Sequence, residues 1–159
     1  MLDLKRGSNM AKFTYRMQNI LDIKYKLENQ AKQEYQEVAG RLRDAEKILE
    51  ELKMQKSSYI AHYKELTANT LDIMEIEHGK EAIDIMELYI VNQENVIKTI
   101  EFELEQARNK LKDVMQDRKV HEKLKDNEFE EFLIELNKEE MKEIDEVVSY
   151  QYNNVDSEV

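Results

Sequence analysis

The stretch AKQEYQEVAGRLRDAEKILEELKMQKSSYIAHYKEL, residues 31–66, decides the fold. Within it Ala31, Tyr35, Val38, Leu42, Ala45, Leu49, Leu52, Lys56, Tyr59, Tyr63 and Leu66 recur in alternating steps of four and three. All but Lys56 are apolar or aromatic, the pattern of a coiled-coil seam. A second seam spans residues 83–114 through Ile83, Met86, Ile90, Gln93, Ile97, Ile100, Leu104, Ala107, Leu111 and Val114, and its one polar member is Gln93. Two matched seams in one chain predict an all-α fold, a long antiparallel two-helix coiled-coil hairpin. One antiparallel register sets Lys56 opposite Gln93, and the same register faces Leu42 with Ala107 and Ala45 with Leu104, large against small. A polar layer fixes register at some cost in stability, so Lys56 and Gln93 are expected to form that layer.

Outward from the seams, Phe13, Met17, Ile20, Leu21 and Leu27 open a first arm over residues 13–66. The second arm, residues 83–148, continues through Val120, Leu124, Phe129, Phe132, Leu133, Leu136, Met141, Ile144 and Val148. Between them Thr67-Ala68-Asn69-Thr70 breaks the pattern. Thr70 is expected to cap a short helix that runs to Glu77 and stops at His78-Gly79, giving a helical elbow over residues 67–82 at the tip. Leu71, Ile73, Met74 and Ile76 there either close the end of the seam or carry function. Residues 1–9 lack periodicity and read as a disordered extension, native or foreign, with Met10 as a natural start. Residues 149–159 read as a frayed polar tail. Gly40, inside the first arm, should cost its helix about 1 kcal/mol relative to Ala.

The 159 residues are 41% hydrophobic and 37% charged, without Pro or Cys, a composition of long helices rather than of a compact globule. At about 1.5 Å per residue the arms would run roughly 80 and 100 Å. The lack of Cys excludes disulfides and thiolate metal sites and is compatible with a reducing cytoplasm. No apolar run approaches the roughly 18 residues of a membrane span. A net charge of −11 argues against nucleic acid as a partner of the surface as a whole. Charge is nevertheless uneven: residues 108–125 hold seven basic residues against three acidic ones, and Asp126 to Glu146 ten acidic against two basic. His62, His78 and His121 lie far apart, on the two arms and the tip, and are not expected to converge on a metal. The single Glu-x-x-His, Glu75 to His78, lacks the second copy and extra glutamates of a di-iron bundle. Three scattered glycines make no phosphate loop. No enzymatic activity, no cofactor and no small-molecule ligand are expected.

Phe13-Thr14-Tyr15-Arg16-Met17-Gln18-Asn19-Ile20-Leu21-Asp22-Ile23-Lys24 resembles the opening of the FliJ family, coiled-coil stalk proteins of the bacterial flagellar type III export apparatus. Ala45-Glu46 with Leu49 and Leu52, Arg118-Lys119 with Glu122-Lys123-Leu124, and Asp145-Glu146 extend the likeness over roughly residues 10–148. The resemblance implies a cytoplasmic protein, peripheral at the inner face of the cell membrane, that serves flagellum biogenesis and motility. It looks like the central stalk (gamma) subunit of rotary ATP synthases. Its implied partners are the hexameric flagellar export ATPase, the cytoplasmic domain of the export gate, and flagellar export chaperones. The analogous stalk of a virulence type III system, or a generic coiled-coil tether, would satisfy the same periodicity.

The resemblance also assigns roles to residues. The end carrying both termini would enter the ATPase ring, with Phe13, Tyr15, Met17, Phe129 and Phe132, beside Leu133, as an apolar bearing. Arg16, Lys24, Arg118 and Lys119 would meet acidic side chains of the ring wall. Self-association through this end is the competing reading. Leu52, Tyr59, Tyr89, Gln93 and Val96 would contact the export gate, and closing the coiled coil would account for them equally well.

Overall fold

The computed structural model describes residues 11–69 and 72–155, with side chains through Tyr152. The expected extension over residues 1–9, the start at Met10, the cap at Thr70, the contact of Leu71 and the last four residues of the tail lie outside these. Helix α1 spans Gln18–Asn69 and helix α2 spans Ile73–Val155. The fold is an all-α two-helix hairpin, with no strand among the described residues. It divides into two compact units: one built from residues up to Lys26 together with those from Gln116 onward, and one spanning Leu27–Met115.

The Leu27–Met115 unit is a seam of two antiparallel segments. Ala45, Ile97 and Ile100 are buried at its centre, with Val38, Leu42 and Leu49 packed against them. Burying each such isoleucine contributes about 1.5–3 kcal/mol. The register is not the expected one. Lys56 pairs with Glu87 at 2.9 Å, six positions before Gln93, while the Gln93 amide donates to the main-chain carbonyl of Ala45 at 2.9 Å. Ala45 packs on Ile97 and Ile100 rather than on Leu104. Lys56 and Gln93 therefore form no shared layer; the arms are shifted by one heptad. The reason lies beside the seam. The observed register brings Arg41 to Glu103 and Lys110 to Glu34, both at 2.6 Å, whereas the expected one would have set Arg41 near Arg108.

The tip differs as well. α2 runs without a break through His78 and Gly79, so no short helix stops there. Gly79 serves packing instead: a Cβ on it would stand 3.1 Å from the Tyr63 ring and 3.6 Å from Leu66. The cap of α2 is Asp72, whose side chain accepts from Met74 N at 3.0 Å and whose carbonyl accepts from Ile76 N at 3.2 Å. Near the end of α1 the Thr67 hydroxyl donates to the carbonyls of Tyr63 and Lys64 at 3.1 and 3.0 Å, sharing those acceptors with the helix's own N–H groups.

In the other unit the first arm begins as irregular chain, and α1 starts at Gln18 rather than Phe13. Phe13 is half-buried and Tyr15 buried, two positions apart. On a helix they would point to opposite sides, whereas non-helical backbone lets both turn inward. The carbonyls of Tyr15 and Met17 accept the first bonds of α1, from Gln18, Ile20 and Leu21. At the far end α2 stays helical to Val155, past the expected boundary at 148, so residues 149–155 are helix rather than frayed tail.

Candidate functional site

The terminal unit holds the densest group of sequence-expected residues. α2 places Phe129 and Phe132 one turn apart, with ring centres 6.4 Å apart. Phe13 joins both, edge-on to Phe129 at 5.1 Å and tilted against Phe132 at 5.5 Å, a geometry that suits the positive edge and negative face of aromatic rings. Tyr15 and Leu21 are the buried apolar residues of the same unit among the described residues. The Tyr15 hydroxyl has no hydrogen-bond partner, and neither has His121 Nδ1. Met17, Phe129 and Leu133 stay 37–43% exposed. The unit thus gathers five large apolar side chains, Phe13, Met17, Phe129, Phe132 and Leu133, that it covers only in part.

A polar belt flanks this cluster. Lys125 donates to Gln18 at 2.8 Å, Gln18 donates to Asp22 at 2.8 Å, and Lys24 pairs with Asp117 at 2.6 Å. The Lys24 hydrogen bond holds the Asp117 carboxyl below the usual carboxylate range against its partial desolvation, with the Lys24 and His121 charges adding to the effect. Tyr25 donates to Glu122, which also takes Arg118 at 2.6 Å, and the Arg118 guanidinium lies 5.7 Å from the Tyr25 ring centre. Lys24 and Arg118 are therefore engaged within the unit. Arg16 and Lys119 are exposed and make no ion pair among the described residues.

In the Leu27–Met115 unit, Tyr89, Gln93 and Val96 occupy one face of α2 at helical spacing. Tyr89 and Val96 are about half exposed, whereas Gln93 is turned inward to Ala45. Leu52 is half-buried and Tyr59 exposed. Tyr59 instead lines an open groove with His62, Leu66, Glu75, His78, Gly79 and Ala82. The groove brings His62 and His78 to one place, with His121 in the other unit. Even so, no group of three ligands able to hold a metal occurs among the described residues.

Sequence reasoning missed the carboxylates that set the pairing, Glu34, Glu87, Glu103 and Asp117. Their signal was the sign of charge beside each seam rather than the seam itself. It also missed the Arg108 contact with Tyr35, whose hydrogen bond is the main cause that raises the guanidinium pKa, with the nearby Glu105 charge adding to it.

These features define a class: a coiled-coil hairpin whose distinctive surfaces are partly covered apolar and charged patches. No helix among the described residues is long and apolar enough to cross a membrane. The model of the family described as "Flagellar FliJ protein" matches residues 13–157, and the chain belongs to the FliJ family. Membership makes it a stalk protein associated with flagellar export, from a family of non-catalytic components. No curated protein and no solved structure matches the chain.

Proposed function

We propose that the chain is the central stalk of the flagellar export machine, with its terminal unit seated in the ring of the hexameric export ATPase. The observation that carries this reading is the cluster of Phe13, Phe129 and Phe132, with Met17 and Leu133 on the same two short segments, 13–17 and 129–133, apolar yet partly exposed. Such a patch is costly to leave in water and suits a low-friction apolar contact. Arg16 and Lys119 would supply the charge that steers entry, while Lys24 and Arg118 stiffen the unit from within. The Tyr89–Val96 face, with Leu52 and Tyr59, would meet the cytoplasmic domain of the export gate, and the same stalk would assist recycling of export chaperones at the inner face of the membrane.

The deciding experiment measures ATP hydrolysis by the purified export ATPase with and without the chain. Phe13→Ala with Met17→Ala should lower the stimulation several-fold while the helical circular dichroism persists, and raised salt should weaken the complex. Stimulation unchanged by both treatments would reject the bearing.

A further inference from the structure

From Asn137 to Tyr152 every residue of α2 is exposed. Leu133, Ile134, Met141, Ile144, Val148 and Tyr152 nevertheless share one stripe of that helix, separated by one, seven, three, four and four positions. A stripe about 100° wide is the face a helix normally buries. Here its members range from 41% exposed at Leu133 to 75% at Tyr152. A helix in a protein takes most of its stability from packing of its apolar face rather than from intrinsic propensity. The face is built for an occupant.

Charge selects the occupant. Glu140 and Glu143 flank one side of the stripe and Asp145 with Lys138 the other, while Glu135, Glu139, Glu146 and Lys142 lie toward the opposite face and leave the segment strongly acidic as a whole. Glu140 and Glu143 border a groove floored by Ile144, Val147 and Val148. A second copy of the segment would set carboxylates against carboxylates, and an anionic membrane or a nucleic acid would be repelled. We propose that residues 133–152 are a docking surface for a basic amphipathic helix of a partner protein, whose apolar stripe covers the seam while its flanking Lys or Arg side chains meet these carboxylates. Residues 133–152 belong to the same unit that the stalk reading seats in the ring, and Leu133 is common to both, so the proposal is tested by peptide binding to the isolated chain, a readout that the ATPase experiment does not share.

The test uses the full chain and a labelled synthetic peptide of about four heptads, with Ile and Leu at the seam positions and Lys beside them. Fluorescence anisotropy should show saturable one-to-one binding that weakens about tenfold or more between low and high salt. Ile144→Glu with Val148→Glu should reduce affinity at least tenfold, and Val91→Glu, on an exposed apolar residue of the other unit, should leave it unchanged. Glu140→Lys with Glu143→Lys should reverse the preference toward a peptide carrying Glu beside the seam. Absence of binding, or equal binding of the Lys and Glu peptides by the unaltered chain, would overturn the proposal. So would sedimentation equilibrium showing a dimer that Ile144→Glu dissociates, because the occupant would then be a second copy.

Discussion

The side-chain amide of Gln93 donates to the main-chain carbonyl of Ala45 across the hairpin, at 2.9 Å, and not to any side chain of its own seam layer. This bond ties α2 to the backbone of α1, so it reads position without depending on the identity of residue 45. A helical carbonyl retains a second lone pair, so the contact need not compete with the helix. Gln93→Leu should raise the melting temperature and loosen the register, visible as extra amide resonances from a second pairing.

The ion pair of Arg41 with Glu103 tests the register directly. Glu103→Arg should destabilise the chain in urea unfolding, and adding Arg41→Glu should recover most of the loss. The coupling is expected at about 0.2–1 kcal/mol, since both groups reach solvent. No coupling would mean that the two do not face each other in solution.

The two helical glycines should respond differently to alanine. A Cβ at Gly40 would meet only the Arg43 side chain at 3.8 Å, so Gly40→Ala should gain about 1 kcal/mol. Gly79→Ala gains the same propensity but presses on the Tyr63 ring at 3.1 Å. Chemical denaturation should therefore show the smaller benefit, or a loss, at Gly79, and Tyr63→Leu should narrow the difference.

Tyr15 buries a hydroxyl that has no partner. Tyr15→Phe removes that group while keeping the ring, so stability should hold or rise by up to about 1 kcal/mol. A clear loss would show that the hydroxyl is hydrogen-bonded in solution.

The depressed pKa of Asp117 makes a signed prediction. A carboxyl held lower in the folded chain than its unfolded value, about 3.9, stabilises the fold above that value and loses this contribution as pH falls through the folded pKa. Asp117→Asn should thus narrow the stability gap between neutral and strongly acidic solution, measured as the urea midpoint against pH, with a small amplitude because the group is solvated.

The sequence by itself determined that the chain is two long helices, because seam residues such as Leu42, Leu49, Ile97 and Ile100 repeat at a spacing that only paired helices can bury. It also determined that the aromatic residues Phe13, Phe129 and Phe132 concentrate toward the ends. It did not determine the register. Sliding one arm by a heptad exchanges one apolar layer for another at little net cost, so the choice passes to pairs beside the seam, Arg41 with Glu103 and Lys56 with Glu87, each small and visible only when both arms are placed. Tertiary structure likewise decided that residues before Gln18 leave the helix so that Phe13 and Tyr15 can both turn inward. It also decided that the stripe from Leu133 to Tyr152 stays exposed. The stripe is written in the sequence, but helices of 52 and 83 residues cannot cover each other along their whole lengths, and only the folded chain shows which end of α2 is left over.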